Sequence, residues 1–169
     1  MFGRSRPPAA LRALIGSDER LLAVADGEPA ETGAVVATQL RLWVPEAGSW
    51  RAIGWDAVVK ATWSEAGLAV TEGVEGPDGL VTDLFPVRHR LAEPRNLPVV
   101  VRQRVERSID RWEQVRVPGG TGRVVGRRRP GVDGLHWTAR FDTGTPDTPA
   151  ARTVLLDYLD RVRVAQRPA

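Results

Sequence analysis

The stretch Trp50-Arg51-Ala52-Ile53-Gly54-Trp55-Asp56-Ala57-Val58-Val59-Lys60-Ala61-Thr62-Trp63-Ser64-Glu65-Ala66-Gly67-Leu68-Ala69-Val70 decides the fold. Trp50 to Trp55 reads as one strand, and Asp56-Ala57 is a polar turn. Val58 to Trp63 is the next strand, with Val59, Ala61 and Trp63 on one face. Ser64 to Gly67 turns the chain back into Leu68-Ala69-Val70-Thr71. Gaps this short leave no room for crossover helices. The strands must therefore pair antiparallel, which excludes a doubly wound parallel sheet.

Working outward, the same grammar continues. Leu21 to Ala25, Ala34 to Thr38 and Leu40 to Val44 are earlier strands, and Leu80 to Val87 is a later one. Ahead of them, Pro7-Pro8 can open a short helix that Gly16 ends. After Pro94 and Pro98 the period changes. Val101, Val105, Ile109 and Trp112 recur at helical spacing, predicting an amphipathic helix from about Leu97 to Arg111 that lays its stripe on the open side of the sheet. Trp112–Val117, Gly122–Arg128 and Leu135–Phe141 then read as three strands. Thr148-Pro149 supplies an N-cap and first-turn proline for a last helix, Pro149–Val164, with Val154, Leu155, Tyr158, Leu159 and Val162 as its stripe. The tail over 165–169 reads as frayed. The predicted class is α+β: an antiparallel barrel or half-barrel over 17–111 capped by a helix, and a three-stranded extension with a helix over 112–165 that either extends the same sheet or makes a small second lobe, packed on the first as one compact unit.

Residues Leu21–Val70, above all the quoted stretch, resemble a bacterial pleckstrin-homology-like (PH-like) domain. In such domains an apolar strand ends in a bulky residue, a polar turn and two short strands follow, and a long helix plugs the half-open barrel, as Leu97–Arg111 could here. The whole chain is also similar to a group of uncharacterised actinobacterial proteins sharing this front half, the Leu97-Pro98-Val99-Val100-Val101-Arg102-Gln103-Arg104-Val105 helix and a Leu135-His136-Trp137 strand. These are packing patterns, so the resemblance implies a fold and a scaffold for ligand, peptide or partner binding. Lipid-binding members hold phosphates with a basic first hairpin. That loop here carries Asp26, Glu28 and Glu31 and no lysine or arginine, so phosphoinositide binding is not expected at it.

Composition narrows the chemistry. The 169 residues are 42% hydrophobic and 27% charged, enough for one folded domain or two small ones. No stretch approaches the roughly 20 apolar residues of a membrane span. Arg12 interrupts the apolar run Ala9–Ile15, so no signal peptide is expected. The absence of cysteine excludes disulfides, iron–sulfur clusters, thiolate zinc sites and a cysteine nucleophile, and fits a cytoplasmic setting. The net charge is only +3 although the pI is near 10.4. All basic residues but Lys60 are arginine, so little titrates between pH 7 and 10, and the high pI is a poor sign of nucleic-acid binding.

Phe141-Asp142-Thr143-Gly144-Thr145 matches an aspartic-protease signature, but 24 residues after Thr145 are too few for the β structure that fold requires. Gly119-Gly120-Thr121-Gly122-Arg123 resembles a phosphate loop yet lacks the lysine and following helix, so it reads as a hairpin turn. His136 and His89 have no visible partner for general-base work, and no cofactor or metal site is predicted. Most of the six tryptophans sit among apolar neighbours and read as core. Trp50, beside Ser49 and Arg51, is the one expected to be exposed. The candidate partner-binding residues are Trp50, Arg123, Arg127, Arg128 and Arg129. The expected function is a non-enzymatic binding or scaffold module, presenting a groove between barrel and helix to a protein or small ligand, or self-associating. The alternative is a nucleic-acid or anionic-surface binder using Arg123 and Arg127–Arg129.

Overall fold

A computed structural model describes residues 6–166. The order is α1 (Ala9–Leu14), β1 (Leu21–Ala25), β2 (Val35–Thr38), β3 (Arg41–Glu46), β4 (Ser49–Gly54), β5 (Val58–Ser64), β6 (Gly67–Glu75), β7 (Val81–Asp83), β8 (Val87–His89), α2 (Leu97–Ser108), β9 (Ile109–Val117), β10 (Gly120–Arg127), β11 (His136–Phe141) and α3 (Pro149–Ala165). The class is α+β, with three antiparallel sheets and three helices and no closed barrel among the described residues. The chain divides into two compact units. One holds the residues up to Glu72 together with Phe85–Glu106, the other Gly73–Leu84 together with the residues from Arg107 on. The Gly73–Leu84 hairpin thus leaves the 17–111 segment read from the sequence.

In the first unit β1-β2-β3-β4 form a meander. Its β2–β3 turn is tied by one side chain: Thr38 Oγ1 accepts from Leu40 N (3.2 Å) and Arg41 N (3.1 Å) and donates to Glu19 Oε2 (2.8 Å). β6 pairs with β5 on one side and, at Leu68–Val70, with β8 on the other. A register shift between Val58 and Lys60 keeps Val58 buried, and sets Ala61 opposite Val70 and Trp63 opposite Leu68. The face predicted as Val59, Ala61 and Trp63 therefore loses Val59. A bridge from Gly27 to Leu91 joins the chain just after β1 to the segment after β8. Ala23, Val35, Leu42, Ile53, Trp55, Val58, Leu68 and Val70 share one core with Leu97 and Val101 of α2. The other face of the meander is covered by Leu11 of α1, packed with Val24, Val36 and Trp43.

In the second unit β10 lies between β9 and β11, and α3 covers one face. Leu155 and Leu159 are fully buried there with Val115, Val117, Val124, Trp137 and Ala139. Each such leucine contributes about 1.5–3 kcal/mol by leaving water. The N-cap is as read from the sequence: Thr148 Oγ1 accepts from Ala151 N at 3.2 Å, and Pro149 opens the helix.

Three expectations need correction. The strand predicted over Leu80–Val87 is two strands, β7 and β8, with Leu84–Pro86 between them. The helix stops at Ser108 rather than Arg111, because the chain is clamped there: Ser108 Oγ accepts from the buried Arg127 (2.8 Å) and Ser108 O from Arg128 N (2.8 Å). Ile109 and Trp112, read as the end of a helical stripe, belong to β9. Trp112 is 56% exposed and Trp63 42%, so neither is core, whereas Trp50 is half-buried and donates from Nε1 to Ala34 O at 2.8 Å. No helix among the described residues is long and apolar enough to cross a membrane. Of the frayed-tail reading, residues 167–169 lie outside the described residues, as does Met1–Ser5.

Candidate functional site

The glycine-rich run of β10 is a packing surface. Gly122, Val124 and Gly126 alternate onto the face under α3. A Cβ on Gly122 would sit 2.9 Å from Leu155 Cδ2 and 3.0 Å from Arg140 O. One on Gly126 would meet the Trp137 ring at 3.0 Å. Bare backbone here lets Trp137 lie flat against its neighbouring strand. The tight turn lies at Pro118-Gly119, before the strand, where Gly119 has φ +84°.

Where β11 begins, the unit opens into a cleft of about 690 Å³ lined by Asp133, Gly134, Leu135, His136, Trp137, Arg163 and Gln166. Its apolar surface is Leu135 and Trp137, and the end of α3 forms a wall. Its polar lip is His136 and Arg163, both held by Glu75 of the β6–β7 hairpin, which does not itself line the cleft. Glu75 Oε2 lies 2.6 Å from His136 Nε2 and accepts from Arg129 at 3.2 Å. Glu75 Oε1 is 3.9 Å from Arg163. Arg163 is held in turn: its Nη2 and Nε donate to Trp137 O at 2.8 and 3.3 Å. Gly79, at φ +87°, makes room for it, since a Cβ there would meet Arg163 Nη2 at 2.3 Å. One carboxylate thus fixes an imidazole and two guanidinium groups beside an apolar floor. Among the described residues the imidazole's hydrogen-bond partner is Glu75, shared with both arginines, so the pair anchors the lip.

The residues singled out from the sequence fare differently. Arg129 does not line the cleft but shares Glu75 with His136, which does. Arg127 points inward, is buried and holds Ser108. Arg128 pairs with Asp110. Arg123 is bound through Nε to Asp142 Oδ1 at 2.8 Å and lies over the Trp112 ring, 5.1 Å from its centroid. Of the basic cluster, Arg123, Arg128 and Arg129 are thus each paired with a carboxylate of their own unit. Trp50 belongs to the first unit and does not line the cleft. Asp142, of the protease-like motif, is a turn anchor: it accepts from Thr121 Oγ1 (2.7 Å), Gln114 Nε2 (3.4 Å) and Arg123. Desolvation would raise its pKa, but these donors more than offset it and hold the carboxyl below its usual value. Glu75, Arg163 and Gln166 were missed. Nothing in the sequence distinguishes them from solvated charges, because their meeting depends on a hairpin docking more than 60 residues away in the chain. Where a groove between barrel and helix was expected, Leu97 and Val101 of α2 are fully buried. Among the described residues no group of three or more histidine or carboxylate side chains is gathered to hold a metal ion.

No family model, no curated protein and no solved structure matches the chain.

Proposed function

We propose that this chain is a non-enzymatic binding module of the cytoplasm. The first unit is its PH-like scaffold, and the cleft beside β11 takes a ligand, or a side chain of a protein partner, with an apolar body and a hydrogen-bonding end. The observation that carries the reading is the convergence, in one cleft, of the Leu135–Trp137 floor with a lip whose charged groups are already fixed by Glu75. Preorganised polar groups around an apolar floor are what small-ligand sites use for orientation and affinity. A four-stranded meander, a second sheet of β5, β6 and β8, and α2 against their common core follow the order that the PH-like resemblance implies. A chain without cysteine suits a reducing compartment. Binding of nucleic acid through Arg123 and Arg127–Arg129 is less well supported, because a phosphate would have to displace Asp142, Asp110 or Glu75, and Arg127 is buried.

The test is a fragment library screened by thermal shift on the native chain and on Leu135→Glu. Leu135 is only half-buried, so the variant should fold. Fragments with an apolar ring are expected to stabilise the native chain and to bind the variant at least about tenfold more weakly, roughly 1.4 kcal/mol. Fragments that bind both proteins equally would place the site elsewhere and refute the reading.

A further inference from the structure

We propose that β9 is a self-association edge, along which a second copy of this chain pairs antiparallel about a two-fold axis at Trp112. The proposal does not depend on the cleft. β9 is an outer strand of its sheet, so the backbone groups on its outer side have no strand partner among the described residues. It is nine residues long and contains no proline, glycine or lysine. Open edges are usually blunted by such residues, by bulges or by shortness; here the one irregularity, at Asp110, is confined to the start of the strand and leaves Arg111 to Val117 in regular register. Asp110 to Gln114 are all exposed, with Trp112 the most exposed of the six tryptophans.

The strand's own sequence names the occupant. Opposed residues of an antiparallel pair share a face, so a two-fold axis normal to the sheet must pass midway between a residue and its own copy. An axis at Asp110, Arg111 or Glu113 sets like charges against each other. An axis at Gln114 forms no ion pair. An axis at Trp112 sets Arg111 opposite Glu113 of the second copy, twice, with the two Trp112 rings adjacent at the centre. Opposite-charge and aromatic cross-strand pairs are among the combinations that stabilise sheets. The mixed charge of this strand therefore selects its own copy in one register instead of repelling all partners.

Sedimentation velocity on the full chain, over about a hundredfold range of concentration, reads the equilibrium. The native protein is expected to convert from monomer to dimer. Arg111→Glu and Glu113→Arg, each made alone, should weaken the dimer at least about tenfold. The double swap, which restores opposite charges in the same register, should return it to within about threefold of native. Arg111 is 64% exposed and its ion-pair partner is Asp110 at 3.5 Å, so Arg111→Glu is expected to leave the monomer's thermal melt unchanged. Glu113 accepts from the Tyr158 hydroxyl, so Glu113→Gln is run beside Glu113→Arg as the gentler variant. A native chain that stays monomeric throughout overturns the proposal. So do single swaps without effect, or a double swap that fails to recover.

Discussion

His89 illustrates what one side chain's surroundings decide. In the sequence it stands between Arg88 and Arg90 and reads as a surface histidine in a positive field. In the fold it is half-buried on β8, opposite Leu68. Its pKa is lowered, first by burial and then by the charge of Arg51, a residue far off in sequence that is itself tied to Glu46 and Glu72. The folded state then binds a proton less readily than the unfolded state, whose histidine titrates near 6.5. As pH falls through that value the unfolded chain takes up the proton first, so stability present above it is lost. His89→Gln should therefore lose less Tm than the native chain between about pH 7.5 and pH 5.5, the difference isolating this group from the carboxylates. Identical losses would show that His89 is not buried in this way. Arg127, Arg128 and Arg129 teach the same lesson: a run of three like charges in the sequence becomes one buried clamp and two ion pairs, each with a different acid.

At the scale of elements, period and punctuation carried most of the information. The meander β1–β4, the hairpin β5–β6, the three strands of the second unit and the capped α3 all follow from short apolar runs and turn residues. The α2–β9 junction did not, because Val101, Val105, Ile109 and Trp112 fit a helical stripe while Val115 and Val117 already alternate as a strand. The tie comes from Arg127 and Arg128, which are remote in sequence. Glycine in β10 misled in another way, since a phosphate loop and a flat packing strand need the same residue for different reasons. The two can be told apart. Gly122→Val would drive its side chain against Leu155 and against the carbonyl of Arg140, which as backbone cannot yield. Urea unfolding should show a loss of about 1–3 kcal/mol. An unchanged midpoint would mean that the strand face is not packed against α3.

At the scale of the whole molecule, the charge of +3 and the pI near 10.4 describe a chain built on arginine, not one committed to an acidic partner. Many of those arginines are occupied by carboxylates of their own unit. The strand half of the cleft, Leu135-His136-Trp137, was legible as a β-type run, though the sequence marked neither Leu135 nor Trp137 as a binding residue and gave His136 no role. The other half was not, because Glu75 and Arg163 acquire meaning only when the β6–β7 hairpin and α3 meet β11. The tryptophans offer the most direct measurement of whether this cleft binds. Each of the six reports its own indole N–H, and only Trp137 lines the cleft. In a titration of the 15N-labelled full chain with a fragment that stabilises it, the Trp137 indole should shift together with the Gly134 and Gln166 amides, while Trp43, Trp50 and Trp55 stay in place. Shifts centred on those first-unit tryptophans, with Trp137 unmoved, would contradict a binding site beside β11.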